Sequence, residues 1–61
     1  MFLNVEQLAD RWGVSVATIY GLRYRSEAPP AIRVGRELRF ALSDVEQWER
    51  ARRDNGGPRA A

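Results

Sequence analysis

Apolar positions recur along this chain with two periods, that of a helix up to residue 25 and that of a strand after a pair of prolines. Val5, Leu8, Ala9 and Trp12 fall on one helical face. Asn4 stands where an N-cap belongs, with Gln7 at the third helical position of a capping box. Gly13 supplies the left-handed residue that closes a helix most easily, so the first helix is expected over Val5–Trp12. Ser15 and Thr18 then resemble a second capping start. Val16, Ile19 and Leu22 repeat at helical spacing, giving a second helix from Val16 to Tyr24 or Arg25. Two helices joined by a turn as short as Gly13-Val14-Ser15 have helix-turn-helix spacing. A plain helical hairpin also has a short loop, so the discriminator is what the second helix leaves on its outer side.

Pro29-Pro30 stops helix and imposes an extended exit. Ile32-Arg33-Val34, a Gly35-Arg36-Glu37 turn and Leu38-Arg39-Phe40 follow. Read with that turn, alternation places Ile32, Val34, Leu38 and Phe40 on an apolar underside and Arg33 and Arg39 on the outer side, with Arg36 near the tip. A two-stranded ribbon is barely stable alone, so it is expected to lie on the helices. Ser43-Asp44-Val45-Glu46 reads as another capping box, opening a third helix. Val45, Trp48 and Leu42 are expected inward, Glu46, Glu49, Arg50 and Arg53 outward, with Glu46–Arg50 and Glu49–Arg53 as i,i+4 pairs. Residues 54–61 lack periodicity and core formers and are expected to be a disordered tail, leaving 1–53 as one domain. The expected fold is therefore mainly α with a small β-hairpin: a winged helix-turn-helix with a two-stranded wing and a C-terminal helix.

The 61 residues include no cysteine and no histidine, which removes disulfides, zinc-finger ligand sets and His-based acid/base chemistry. A chain this short buries only ~60% of the surface its unfolded form exposes, so stability rests on one small apolar cluster. No apolar run approaches the ~20 residues of a membrane span, and the start is not that of a signal peptide. The expectation is a protein with no membrane partner, in the cytoplasm. Carboxylates are scattered over helical surfaces, without a glycine-rich phosphate loop, metal cluster or nucleophile–base pair. An enzyme, a cofactor and a small-molecule effector are accordingly not expected.

The net charge of +2 is uninformative until it is located. Arg23, Arg25, Arg33, Arg36 and Arg39 against Glu27 and Glu37 give the stretch 14–40 the positive excess, whereas 1–13 and 41–61 are acidic or balanced. All ten basic residues are Arg. Arg suits bidentate contacts with phosphate and guanine, although Arg-only usage is also what a GC-rich genome produces. On the second helix Ala17, Thr18, Tyr20, Gly21, Arg23 and Tyr24 lie opposite the apolar stripe. Ala17 and Gly21 leave room in a groove, Thr18 and Arg23 can read base edges, and Ser15 with the helix-start amides can hold a phosphate. The alternative is that the tyrosines merely pack and Arg23 is solvated. In the ribbon, Arg33, Arg36 and Arg39 suit the minor groove, and Arg25 beside the prolines suits a phosphate. The bland reading pairs one of these arginines with Glu37. Trp12 and Trp48 read as core, Leu3 as a staple onto Leu8, and Phe2 as a residue that is either buried or available to a neighbouring copy.

The stretch Leu8-Ala9-Asp10-Arg11-Trp12-Gly13-Val14-Ser15, then Thr18-Ile19-Tyr20, Ile32-Arg33-Val34-Gly35-Arg36, Phe40, and Ser43-Asp44-Val45 through Trp48 resembles the excisionase/AlpA-type helix-turn-helix domain, a short relative of the MerR DNA-binding domain. More narrowly, the chain is similar to small mycobacteriophage and actinophage excisionases, the recombination directionality factors. The resemblance implies that Ser15, Ala17, Thr18, Tyr20, Gly21, Arg23 and Tyr24 form a major-groove helix, and that Arg33, Arg36 and Arg39 form a wing in the adjacent minor groove. It further implies double-stranded DNA as partner, several copies on tandem sites beside an attachment site, DNA bending, a phage integrase driven towards excision, and a place at the nucleoid of a bacterial host. MerR regulators add a coiled coil and an effector domain, which are not expected in a chain of this length. Two other readings of this chain stand beside it: an AlpA-like transcriptional regulator on the same fold, and a winged helix used as a protein-interaction module.

Overall fold

The computed structural model describes residues 1–53, and the expected tail 54–61 lies outside the described residues. The order is β1 (Phe2–Leu3), α1 (Val5–Trp12), α2 (Val16–Tyr24), β2 (Ile32–Val34), β3 (Glu37–Ala41) and α3 (Leu42–Ala51), the mainly helical winged helix-turn-helix the pattern called for.

Both helices of the motif start and stop on local signals. At α1, the Asn4 side chain accepts from the Gln7 amide at 2.7 Å, and the Gln7 side chain accepts from the Asn4 amide at 2.9 Å. That reciprocal box satisfies two otherwise orphaned donors. Gly13, at φ 70°, closes the helix as its amide donates to the Asp10 carbonyl and the Val14 amide to the Ala9 carbonyl. At α2, Ser15 Oγ accepts from the Thr18 amide at 3.2 Å. The other end of α2 repeats the Gly13 arrangement with a serine: the Ser26 amide donates to the Arg23 carbonyl and the Glu27 amide to the Leu22 carbonyl. Ser26 holds φ 61°, a left-handed conformation that costs a residue with a Cβ roughly 1–2 kcal/mol.

The core is Leu8 and Ala9 of α1, Ile19 of α2, Leu38 and Phe40 of β3 and Val45 of α3, with Leu3, Val5, Trp12, Val16 and Ala31 packed against it. Each large buried side chain contributes ~1.5–3 kcal/mol, and four elements must meet to bury them.

Four expectations are corrected. First, the sheet has three strands in the order β1-β3-β2, because Phe2 pairs with Ala41 and Leu3 with Phe40. A strand of two residues has no periodicity of its own to detect.

Second, the hairpin turn is two residues long, Gly35-Arg36, not three. The register is Ile32 with Arg39, Arg33 with Leu38 and Val34 with Glu37. Gly35 has φ 64°, and the non-glycine Arg36 does not take positive φ, which is the glycine-first pattern of a II′ hairpin. Directly paired residues share a face, so shortening the loop by one exchanges the faces of β2 relative to β3. Leu38 and Phe40 are buried as expected, but Ile32 and Val34 are 52% and 58% exposed on the far side with Arg39. Arg33 shares the side of Leu38. Arg33 and Arg39 thus do not lie on one face.

Third, the Ser43–Glu46 capping box does not form. β3 runs straight into α3, the N-cap is Ala41 without a side-chain bond, and the Leu42 amide donates to the Met1 carbonyl at 2.8 Å. Fourth, Trp12 and Trp48 are half-buried rather than interior. They stack on each other with centroids 4.6 Å apart and planes 22° off parallel. Each indole needs a partner for its N–H, which holds both at the rim of the core.

Candidate nucleic-acid interface

α2 turns Ile19 fully into the core, with Val16 and Leu22 half-buried beside it. Of the residues expected to act from this helix, Ser15, Ala17, Thr18, Tyr20 and Tyr24 are exposed, and Gly21 and Arg23 are half-buried. Ser15 and Thr18 hold each other, their hydroxyl oxygens 3.0 Å apart, which fixes both at the start of the helix. Tyr20 is 48% exposed and Tyr24 91%, so Tyr24 is not a packing residue. The space left by Gly21 is bordered by Arg25, one of whose terminal guanidinium nitrogens lies 3.7 Å from where a Cβ would sit.

The wing presents Arg36 at its tip, exposed, beside Gly35. A cleft of about 210 Å³ runs between this tip and the helices, lined by Asn4, Val5, Glu6, Tyr20, Arg36, Glu37 and Leu38. The fold therefore brings Tyr20 of α2 and Arg36 of the wing into the lining of one cleft, together with Glu6 and Glu37, although the two are sixteen positions apart in the chain.

The charges sort themselves by partner. Arg25 Nε donates to Glu27 at 3.2 Å and Arg39 meets Glu37 at 2.7 Å, both solvent-exposed pairs worth little to stability. Arg11 meets Glu49 at 2.7 Å. Arg23, Arg33 and Arg36 enter none of the ion pairs among the described residues. Their guanidiniums remain available as planar, multi-donor groups of the kind that bind phosphate oxygens or the acceptor edge of guanine.

Behind this surface, a polar clamp ties α1 to α3. Glu49 accepts from Arg11 through Nε at 2.7 Å and a terminal nitrogen at 2.9 Å, and from the Trp12 indole at 2.6 Å. The Arg11 guanidinium, helped by the indole and opposed by partial desolvation, holds the Glu49 carboxyl at about 2, well below the usual carboxylate range. The hydrogen bond to Glu49 in turn raises Arg11. The Trp48 indole donates to the Glu27 carbonyl at 2.9 Å, and the Arg52 guanidinium lies 4.7 Å over its ring. The expected solvent-facing Glu49–Arg53 pair is thus replaced by a bridge across 38 positions, because Arg11 offers two donors and Trp12 a third.

Sequence reasoning missed the role of Glu49 and the outer face formed by Phe2, Ile32 and Val34. The first had no local signal. The second was accessible from Val-Gly-Arg-Glu, read as strand, glycine-first two-residue turn, strand.

Among the described residues no group of three His, Cys, Asp or Glu could hold a metal ion, and no helix is long and apolar enough to cross a membrane. Residues 2–53 match a family model described as a helix-turn-helix domain. Comparison with curated proteins returns no match.

Proposed function

The chain belongs to this helix-turn-helix domain family, whose members bind DNA, and from that premise we propose that it is an excisionase-type architectural factor. α2 enters the major groove through Ala17, Thr18, Tyr20, Gly21, Arg23 and Tyr24, with Ser15 and the first amides of α2 at a phosphate. Arg36 leads the wing into the neighbouring minor groove, where the potential attracts guanidinium groups. Arg33 and Arg39 flank it on opposite faces of the ribbon, and Arg25 lies at the phosphates. The observation that carries the reading is that exposed Tyr20 of α2 and exposed Arg36 of the wing tip line one cleft. A duplex laid along α2 meets both.

The size of the module supports an architectural role. A single small domain covers ~600–1,000 Å² on DNA, towards the low end for specific recognition. Five or six phosphate contacts give a log–log salt slope of about −5, so one copy discriminates weakly at physiological salt. Copies binding side by side multiply affinity and phase small bends into a large one, which favours integrase-mediated excision over integration.

The test is a gel-shift titration on DNA flanking the gene and its candidate attachment site, with permuted fragments that report bending. A ladder of cooperative shifts with growing bend is expected. One unbent complex at a promoter assigns the chain to transcriptional regulation on the same fold instead. Absence of any specific shift at low salt refutes the assignment of the α2 surface.

A further inference from the structure

Only two carboxylates, Glu27 and Glu37, stand in the stretch 14–40 that holds the positive excess. Glu27 lies just past the end of α2, beside the surface assigned to DNA, where a negative charge repels phosphate. A carboxylate in that place calls for a physical reason.

The backbone of Glu27 is fixed at both of its polar groups. Its amide donates to the Leu22 carbonyl at 2.8 Å, and its carbonyl accepts from the Trp48 indole at 2.9 Å. Through the Trp12–Trp48 stack, that mount reaches both α3 and α1. A side chain on a fixed base has only its own rotamers to lose when it takes a partner.

The partner is Arg25, whose Nε donates to Glu27 Oε1 at 3.2 Å. A terminal nitrogen of the same guanidinium lies 3.7 Å from where a Cβ on Gly21 would sit, so the group folds back one turn along α2. Glycine leaves it that room, which a long side chain at position 21 would occupy. The guanidinium is thus held at Nε and rests against Gly21. The four N–H groups of its terminal nitrogens make no hydrogen bond among the described residues.

Magnitude says what this pair is for. With side chains 57% and 45% exposed, it adds little to stability. It does limit the conformations of Arg25 before DNA arrives, and an arginine without such a hold gives up that freedom on binding.

We propose that Glu27 is a positioning residue for DNA binding: it holds the Arg25 guanidinium against Gly21, with the terminal nitrogens left for a phosphate beside α2. The proposal rests on the DNA-binding reading above and deepens the part Arg25 plays in it.

The test uses the full chain and the variants Glu27→Met and Glu27→Gln, each also combined with Arg25→Ala. Both substitutions remove the same charge and keep nearly the length of glutamate, but only Gln retains an acceptor for Arg25 Nε. Each protein is titrated on one duplex taken from the DNA flanking the gene, with folding checked by thermal unfolding. Both single variants are expected to melt near the parent. Glu27→Met is expected to bind about two- to fivefold more weakly than Glu27→Gln, the size of one exposed ion pair. In the Arg25→Ala background the two are expected to bind alike. The proposal is overturned if Glu27→Met binds as tightly as Glu27→Gln, since charge alone would then account for Glu27. A gap between them that survives Arg25→Ala also overturns it, because Glu27 would then act otherwise than through Arg25. Failure of the parent to bind the duplex at low salt is a separate outcome that overturns the DNA-binding reading itself, and this proposal with it.

Discussion

Replacing Glu49 with Gln keeps the shape of the side chain and an acceptor oxygen but removes the charge at the centre of the α1–α3 clamp. In the folded protein that carboxyl sits at about 2 against an ordinary 4.5, mainly because Arg11 donates to it and secondarily because Trp12 does. Counted in full at ~1.4 kcal/mol per unit, this displacement is roughly 3 kcal/mol. The Glu49 side chain is 31% exposed and Arg11 38%, so solvent screens the pair and about 1–2 kcal/mol is expected to survive. For a domain of this size that is roughly 4–16 °C in Tm. A carboxyl whose folded value is depressed contributes its stability above its unfolded value and loses it as pH falls towards the folded one. The gap between parent and Glu49→Gln should therefore be full above about pH 5 and close as pH approaches 2. Urea unfolding followed by tryptophan fluorescence gives the gap, and near-UV circular dichroism reports the Trp12–Trp48 stack. Equal stability at pH 7, or a gap undiminished at pH 2, refutes the reasoning, because either outcome means that the Glu49 charge does not hold the clamp.

Ser26→Gly is expected to raise stability by about 0.5–1 kcal/mol, measured by urea unfolding. It relieves ~1–2 kcal/mol of left-handed strain at φ 61° and returns ~0.4–1 kcal/mol as unfolded-state freedom. Phe40→Ala, at the fully buried centre of the core, should cost ~3–5 kcal/mol, comparable with the whole stability of so small a domain. Its far-UV circular dichroism should be that of a largely unfolded chain at room temperature, and a cooperative melt near the parent's Tm contradicts the core assignment. Arg33→Ala and Arg36→Ala should each reduce the magnitude of the log–log salt slope of DNA binding by about 0.9, read from titrations at several salt concentrations. An unchanged slope removes that arginine from the phosphate contacts.

What the sequence determined by itself is everything settled within about four residues. The Asn4–Gln7 box, the Gly13 stop and the Ser15 cap set the limits of α1 and α2, since each orphaned backbone group finds its partner one turn away. The apolar spacing of Leu8, Ala9, Ile19 and Val45 then marks which face of each helix is buried. The outer residues of α2 were legible for the same reason, as the complement of that stripe. Tertiary structure decided what depends on distant partners. β1 exists because β3 offers it an edge, and that pairing leaves the Met1 carbonyl to take the first amide of α3, where a serine cap was expected. Glu49 turns from Arg53, four residues away, to Arg11 and Trp12, because three donors on α1 outweigh one flexible pair along a helix. Between the two stands the hairpin, whose glycine-first turn is a local signal but whose length only the pairing of β2 with β3 fixes: one residue of it decides which face of β2 is apolar, since side chains alternate with a period of two and a single-residue change in register exchanges the faces. That choice leaves Ile32 and Val34 outside and parts Arg33 from Arg39, and alternation within either strand alone cannot make it.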